Sequence, residues 1–140
     1  MTTDETRRLV DAFESATLPQ AEWTHTAHLT VAAWLVAWHG AERALPLMRD
    51  GIRRLNVSHG LVETPTRGYH ATITRFYIWA VARELRGARL DRPLGAVIAQ
   101  VAQRLDDRSI PLRHYTRERL DSPEARYGWV EPDLSPMLDA

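Results

Sequence analysis

The chain has 140 residues, 44% hydrophobic and 26% charged, and its 18 Lys+Arg balance its 18 Asp+Glu to a formal net charge of zero. That length suits one domain with one sizeable core, and the even charge excludes the basic stripe that counterion release from nucleic acid requires. Cysteine is absent, which excludes disulfides, thiolate nucleophiles and cysteine-held zinc or iron–sulfur centres.

The opening "MTTDETRRLV" is polar and lacks the apolar core of a signal peptide. No apolar run approaches the ~20 residues that span a bilayer. A soluble cytoplasmic protein is the expectation, with no nucleic-acid or membrane partner, and the "NVS" sequon at Asn56 is then without meaning.

Five helices are predicted, in chain order. The first runs from Asp4 to Ala16, with Leu9, Val10 and Phe13 on one face and a capping box between Thr2 and Glu5. "TLPQAE" breaks it. Pro19 suits the first turn of a second helix, which continues to Trp38 and ends at Gly40. A third spans Glu42 to Asn56 on the stripe Leu45, Met48, Ile52 and Leu55, with a kink expected at Pro46 and a weak point at Gly51. After the connector "SHGLVETP", Thr64–Pro65 opens a fourth helix that runs to Arg86. Asp91 and Pro93 open a fifth, carried by Leu94, Val97, Ile98, Val101 and Leu105. From Ser109 four prolines punctuate a tail with one short helical turn at Pro123–Arg126; its Ile110, Tyr115, Leu120, Tyr127, Trp129 and Val130 are anchors enough to pack it down. The expected fold is therefore all-α: an up-down four-helix core with an additional fifth helix over residues 1–108, and an irregular tail, 109–140, wrapping the bundle.

Chemistry concentrates in two of the helices. In "EWTHTAHLT", Glu22, His25 and His28 recur every three residues and share one side of a helix, with small Ala32 leaving space beyond them. Trp23, Trp34 and Trp38 fall on the other side, as core packing or a homodimer contact. In "PTRGYHATITRFYIWAVARELR", His70, Ile73, Thr74, Tyr77 and Val81 share a face, while Arg75, Trp79 and Arg83 lie opposite. In an up-down bundle the second and fourth helices are parallel, so His25, His28 and His70 arrive at the same end and depth. The "SHGLVE" connector should close over that end and bring His59 and Glu63 near. Gly68 marks a close approach to the backbone or a relief of crowding. His39 and His59 are read as helix-end caps, and His114 as a surface residue.

Three neutral imidazoles converging on one point suit a divalent transition metal (Zn, Fe, Ni or Cu) with an open coordination position. In this reading His25, His28 and His70 hold the metal, Glu22 and Tyr77 are acid–base groups, and Arg67 and Thr74 bind substrate. The alternative keeps the pocket without the metal: a His/Tyr/Arg acid–base enzyme, or a binding protein for an anionic organic ligand, with Arg117, Arg119 and Arg126 of the tail also in reach. "EWTH" matches half of a di-iron Glu-x-x-His pattern, but no second copy follows. A third reading is a non-catalytic interaction module using the Trp side of the second helix. The reaction, whether hydrolytic, lyase or oxygenase, stays open.

"EWTHTAHLTVAAW", "NVSHGLVETPTRGYHATITRF" and "YTRERLDSPEARYGWVEPDLSP" together resemble a family of short bacterial proteins of uncharacterised activity. The resemblance covers nearly the whole chain. It implies that the two histidine helices and the tail work as one unit, and it implies no particular reaction.

Overall fold

Residues 29–36 are all buried, because this stretch is apolar on every side and has no face to offer water. In the computed structural model, which describes residues 1–89 and 91–138, that stretch lies in α2 (His25–His39), the axis of the fold. Around it pack α1 (Thr3–Glu14), α3 (Ala41–Ser58), α4 (Ala71–Arg86) and α5 (Leu94–Leu105), each in contact with α2. Two short helices, α6 (Arg117–Leu120) and α7 (Pro123–Tyr127), complete the tail, and single 3-10 turns occupy Gln20–Glu22 and Ile110–Arg113. The fold is all-α, a helical bundle, as the periodicity predicts. One core runs through all of the long helices into the tail at Ile110, Tyr115 and Leu120.

Helix ends explain where the boundaries differ from expectation. Thr2 and Glu5 do form the reciprocal box, at 3.1 and 3.3 Å. The second helix, however, starts at His25 and not at Pro19. Thr24 takes an extended backbone and accepts the Ala27 N–H at 3.2 Å, which makes it the cap; residues 20–22 form a separate turn. The fourth helix starts at Ala71 and not at Thr64. Residues 64–67 close a tight turn through two backbone hydrogen bonds, Thr64 N–H to Arg67 O at 2.9 Å and its reciprocal at 3.2 Å. Gly68 follows with φ +108°, and Glu63 packs against it where a side chain would sit. Pro46 lies in the second turn of α3 without ending it, and α3 extends to Ser58.

The tail wraps α4. The hydroxyl of Thr72, fully buried, donates to Gly128 O at 2.8 Å and accepts the Val130 N–H at 3.2 Å. Tyr115, also fully buried, donates its phenol to Val130 O at 2.7 Å, and Arg75 lies 4.2 Å over the Trp129 ring. His114 is no simple surface residue. Its ring packs tilted against Phe76 and edge-on to Trp79, its Nδ1 lies 2.9 Å from Ser135 O, and its carbonyl accepts the N–H groups of Leu134 and Ser135. Of the expected tryptophan face, Trp34 is buried and Trp38 is 60% exposed. No described helix is long and apolar enough to cross a membrane.

Gly51 faces the ring of Phe13, and a Cβ there would fall inside the ring's van der Waals envelope. Gly51→Ala should therefore cost a net of about 1–2 kcal/mol, overpacking outweighing the ~1 kcal/mol that alanine gains in a helix. A urea midpoint that rises on this substitution would contradict the packing described.

Candidate functional site

The amino-terminal halves of α2 and α4 face one cavity of about 570 Å³. His25, His28, Leu29 and Ala32 come from α2, Met48 and Ile52 from α3, and Tyr69, His70, Ile73, Thr74, Tyr77 and Ile78 from α4 and its approach. The tail closes it with Arg108, Pro111, Leu112, Arg117, Leu120, Asp121 and Arg126 among others. The two histidine helices thus meet at the same end of the bundle. Their histidines are held in different ways.

His25 is the first residue of α2. Its Nδ1 lies 3.0 Å from Asp106 Oδ1, and Asp106 Oδ2 accepts the Thr26 hydroxyl at 2.8 Å. These two hydrogen bonds, that of His25 first, hold the Asp106 carboxyl below its ordinary value, so it is an ionised acceptor. Nδ1 therefore carries the hydrogen, and in the neutral ring Nε2 keeps its lone pair. Asp106 ends α5, where a carboxylate meets the negative end of the helix dipole. That unfavourable placement was the available signal that Asp106 has a tertiary task.

His28 stacks on Trp23 with ring centroids 3.8 Å apart, and Phe13 backs Trp23 at 5.1 Å. Its ring nitrogens have no hydrogen-bond partner among the described residues. Burial, then the charges of His25 and Arg108, push its pKa down to about 3, so the ring is neutral wherever the protein works.

His70 is committed to structure. It caps α4, its Nδ1 accepting the Ile73 N–H at 3.1 Å, which leaves Nε2 as the N–H that meets Leu120 O at 2.7 Å. Both nitrogens are used. Among the described residues no three His, Asp or Glu side chains form a group able to hold a metal ion. Tyr77 lines the cavity and presents its ring edge to His25 at 5.2 Å, but its hydroxyl donates to Asp107 O at 2.8 Å. Burial raises its pKa to about 12, so it stays protonated. Thr74 and Tyr69 both line the cavity, and burial raises the pKa of the Tyr69 phenol.

Glu22 lies on the 3-10 turn, exposed and outside the cavity wall, because Thr24 delays the helix. Arg67 is exposed in the 64–67 turn and is likewise not part of the wall. Glu63 backs Gly68 and accepts the Tyr69 N–H at 3.4 Å. His59 caps α3 and places Nε2 2.7 Å from Leu18 O. Of the tail arginines, Arg117 and Arg126 reach the wall, while Arg119 instead donates to Glu131 O at 2.6 Å. Arg108 joins them, and no feature of "DDRS" points to it. Arg126 is fixed by a hydrogen bond to Gly68 O at 3.0 Å.

Compared with known protein families, curated proteins and solved structures, the chain matches none.

The depressed pKa of His28 has a consequence for stability. Between the ordinary value of 6.5 and about 3, the unfolded ring binds a proton and the folded ring does not. Stability should be full above pH 6.5 and fall as pH drops below it, by up to about 1.4 kcal/mol per pH unit from this group. Burial lowers the pKa of His70 as well, with the same sign. Urea midpoints measured from pH 7 to pH 4 should drop less steeply in His28→Phe, and an equal slope would remove His28 as the cause.

Proposed function

We propose that the cavity receives a small anionic organic molecule, and that His25, oriented by Asp106, acts on it as a general base without a metal. The observation that carries this reading is the hydrogen bond from His25 Nδ1, in the wall of the cavity, to the ionised carboxylate of Asp106. It fixes the tautomer and leaves Nε2 as the basic nitrogen. The size of the cavity lies within the ~300–1,000 Å³ of small-molecule sites. Arg108, Arg117 and Arg126 against Asp121 make the wall cationic, and the amino-terminal ends of α2 and α4 add the positive ends of two helix dipoles. An acid placed here meets arginine forks at one end and an apolar floor of Leu29, Ala32, Met48, Ile52 and Ile78 at the other.

The metal-centred reading needs His70 as a ligand, and the engagement of both its nitrogens speaks for the metal-free one. Tyr77 then acts as a positioning residue, tying the turn that carries Asp106 to α4 through Asp107 O. Arg67 and Glu22 have no contact with the substrate in this reading.

Titration with 4-phenylbutanoate and with its amide tests the charge requirement. The acid is expected to bind at least about tenfold more tightly than the amide, a difference of ~1.4 kcal/mol, and Arg117→Ala should weaken the acid alone. Arg67→Ala should change neither. Equal binding of acid and amide, or near-stoichiometric transition metal in untagged protein that is lost in His25→Ala, would overturn the proposal.

A further inference from the structure

Among the imidazole groups that line the cavity, proton donors and acceptors are already assigned to protein partners with two exceptions. Of the phenols, Tyr77 gives its hydrogen to Asp107 O, and burial raises the pKa of Tyr69, so that neither is a base. His70 uses Nδ1 on Ile73 and Nε2 on Leu120. What remains uncommitted is His25 Nε2, a base, and the ring of His28, a neutral imidazole with one N–H. The two lie three positions apart on one helix, with Cβ atoms about 5–6 Å from one another. Two rings at that spacing can address adjacent atoms of one small molecule.

From this arrangement, and resting on the base-and-anion reading above, we propose that the chain catalyses proton transfer at the carbon next to the carbonyl of an apolar oxo acid. His25 Nε2 removes the proton from that carbon. The C–H electron pair becomes a carbon–carbon double bond, and the carbonyl π pair moves to oxygen. His28 donates its N–H to the oxyanion as it forms and keeps its own proton, the role for which a neutral imidazole is suited. His25 then returns the proton to the same carbon, which gives exchange or epimerisation there, or to a conjugated one, which gives isomerisation of a double bond. Electrons and atoms balance without an oxidant, a reductant or a second substrate. The acid group of the same molecule meets Arg108, Arg117 and Arg126, and its apolar body meets the floor of the cavity.

Trp23 and Phe13 have a place in this scheme. Their stack covers one face of His28, and the neutral ring keeps its N–H for a hydrogen bond. Asp106 sets the tautomer of the base.

The probe is 2-oxo-4-phenylbutanoate in D₂O, with loss of its C3 proton signal followed by NMR and its binding measured separately by titration. Wild-type protein is expected to accelerate exchange over buffer by at least about 100-fold. His25→Gln should abolish the acceleration. His28→Phe, which keeps the stack on Trp23 and removes the N–H, should bind the probe and lose about 100-fold in exchange; His28→Gln, which restores an N–H, should recover part of it. Should His28→Phe not fold, the graded loss from wild type through His28→Gln to His28→Leu carries the same reading. Probe that binds without accelerated exchange overturns this proposal and leaves the anion-binding one standing. Probe that does not bind takes down both, and exchange unaffected by His28→Phe removes the role given to His28.

Discussion

One imidazole ties the cavity end of this molecule together. His70 precedes α4 and accepts the Ile73 N–H, so Nε2 must carry the hydrogen that meets Leu120 O. A single tautomer therefore satisfies a free helix N–H and docks the tail at α6. Both partners are backbone groups, which any substitution would leave in need of new ones. Two residues further on, Thr72 fastens the same tail after α7 with a second donor–acceptor pair. The amino-terminal turn of α4 is thus a clamp. It joins the core anchors Ile110, Tyr115 and Leu120 in fixing the tail, and so the wall that carries the arginines.

Electrostatics follow from where the helices begin and end. The cavity sits at the amino-terminal ends of α2 and α4, where partial positive charge disfavours imidazolium. Burial acts in the same direction on His28 and His70. Asp106, at the carboxyl end of α5, brings negative charge to His25. The three imidazoles are therefore unequal: one is held by a carboxylate, one is stacked on Trp23 and neutral, and one is spent on structure. The tail then adds cations to an end of the bundle that is already positive, and an anion is the complement that relieves this crowding.

Much of this was legible in the residues, and the failures have physical causes. The all-α class, the five helices and the packing of the tail follow from periodicity and punctuation. The meeting of the histidine helices follows from short connectors. Both chemically important helices, however, were expected to begin about six residues early. Pro19 and Thr64–Pro65 are good start signals, but proline fixes only φ and provides no acceptor for the free N–H groups. Thr24 and His70 do provide one, and the helices start there. Histidine is not among the preferred caps, so nothing in "RGYHAT" announces it. The same shift removes Glu22 and Arg67 from the wall. Asp106 was visible as a carboxylate at the wrong end of a helix. Arg108 was not, because its position depends on how the chain turns after α5.

That distribution has a structural logic. His25 and His28, the two imidazoles of the proposed chemistry, stand on α2, whose residues 29–36 are all buried, and their separation is fixed by helical geometry. The arginines proposed to meet a ligand stand on the short helices α6 and α7 and on the turn after α5, in a tail held by its own hydrogen bonds: Arg126 by Gly68 O, residues 114–116 by the stretch from 130 to 135. In the proposed reaction rigid helices hold the chemistry, because a proton transfer tolerates little displacement. The tail, packed into the same core at Ile110, Tyr115 and Leu120, supplies the charge of the cavity wall. Since the two parts meet at His70 and Thr72, loss of either clamp would impair recognition of a ligand before it disturbed the pairing of His25 with Asp106.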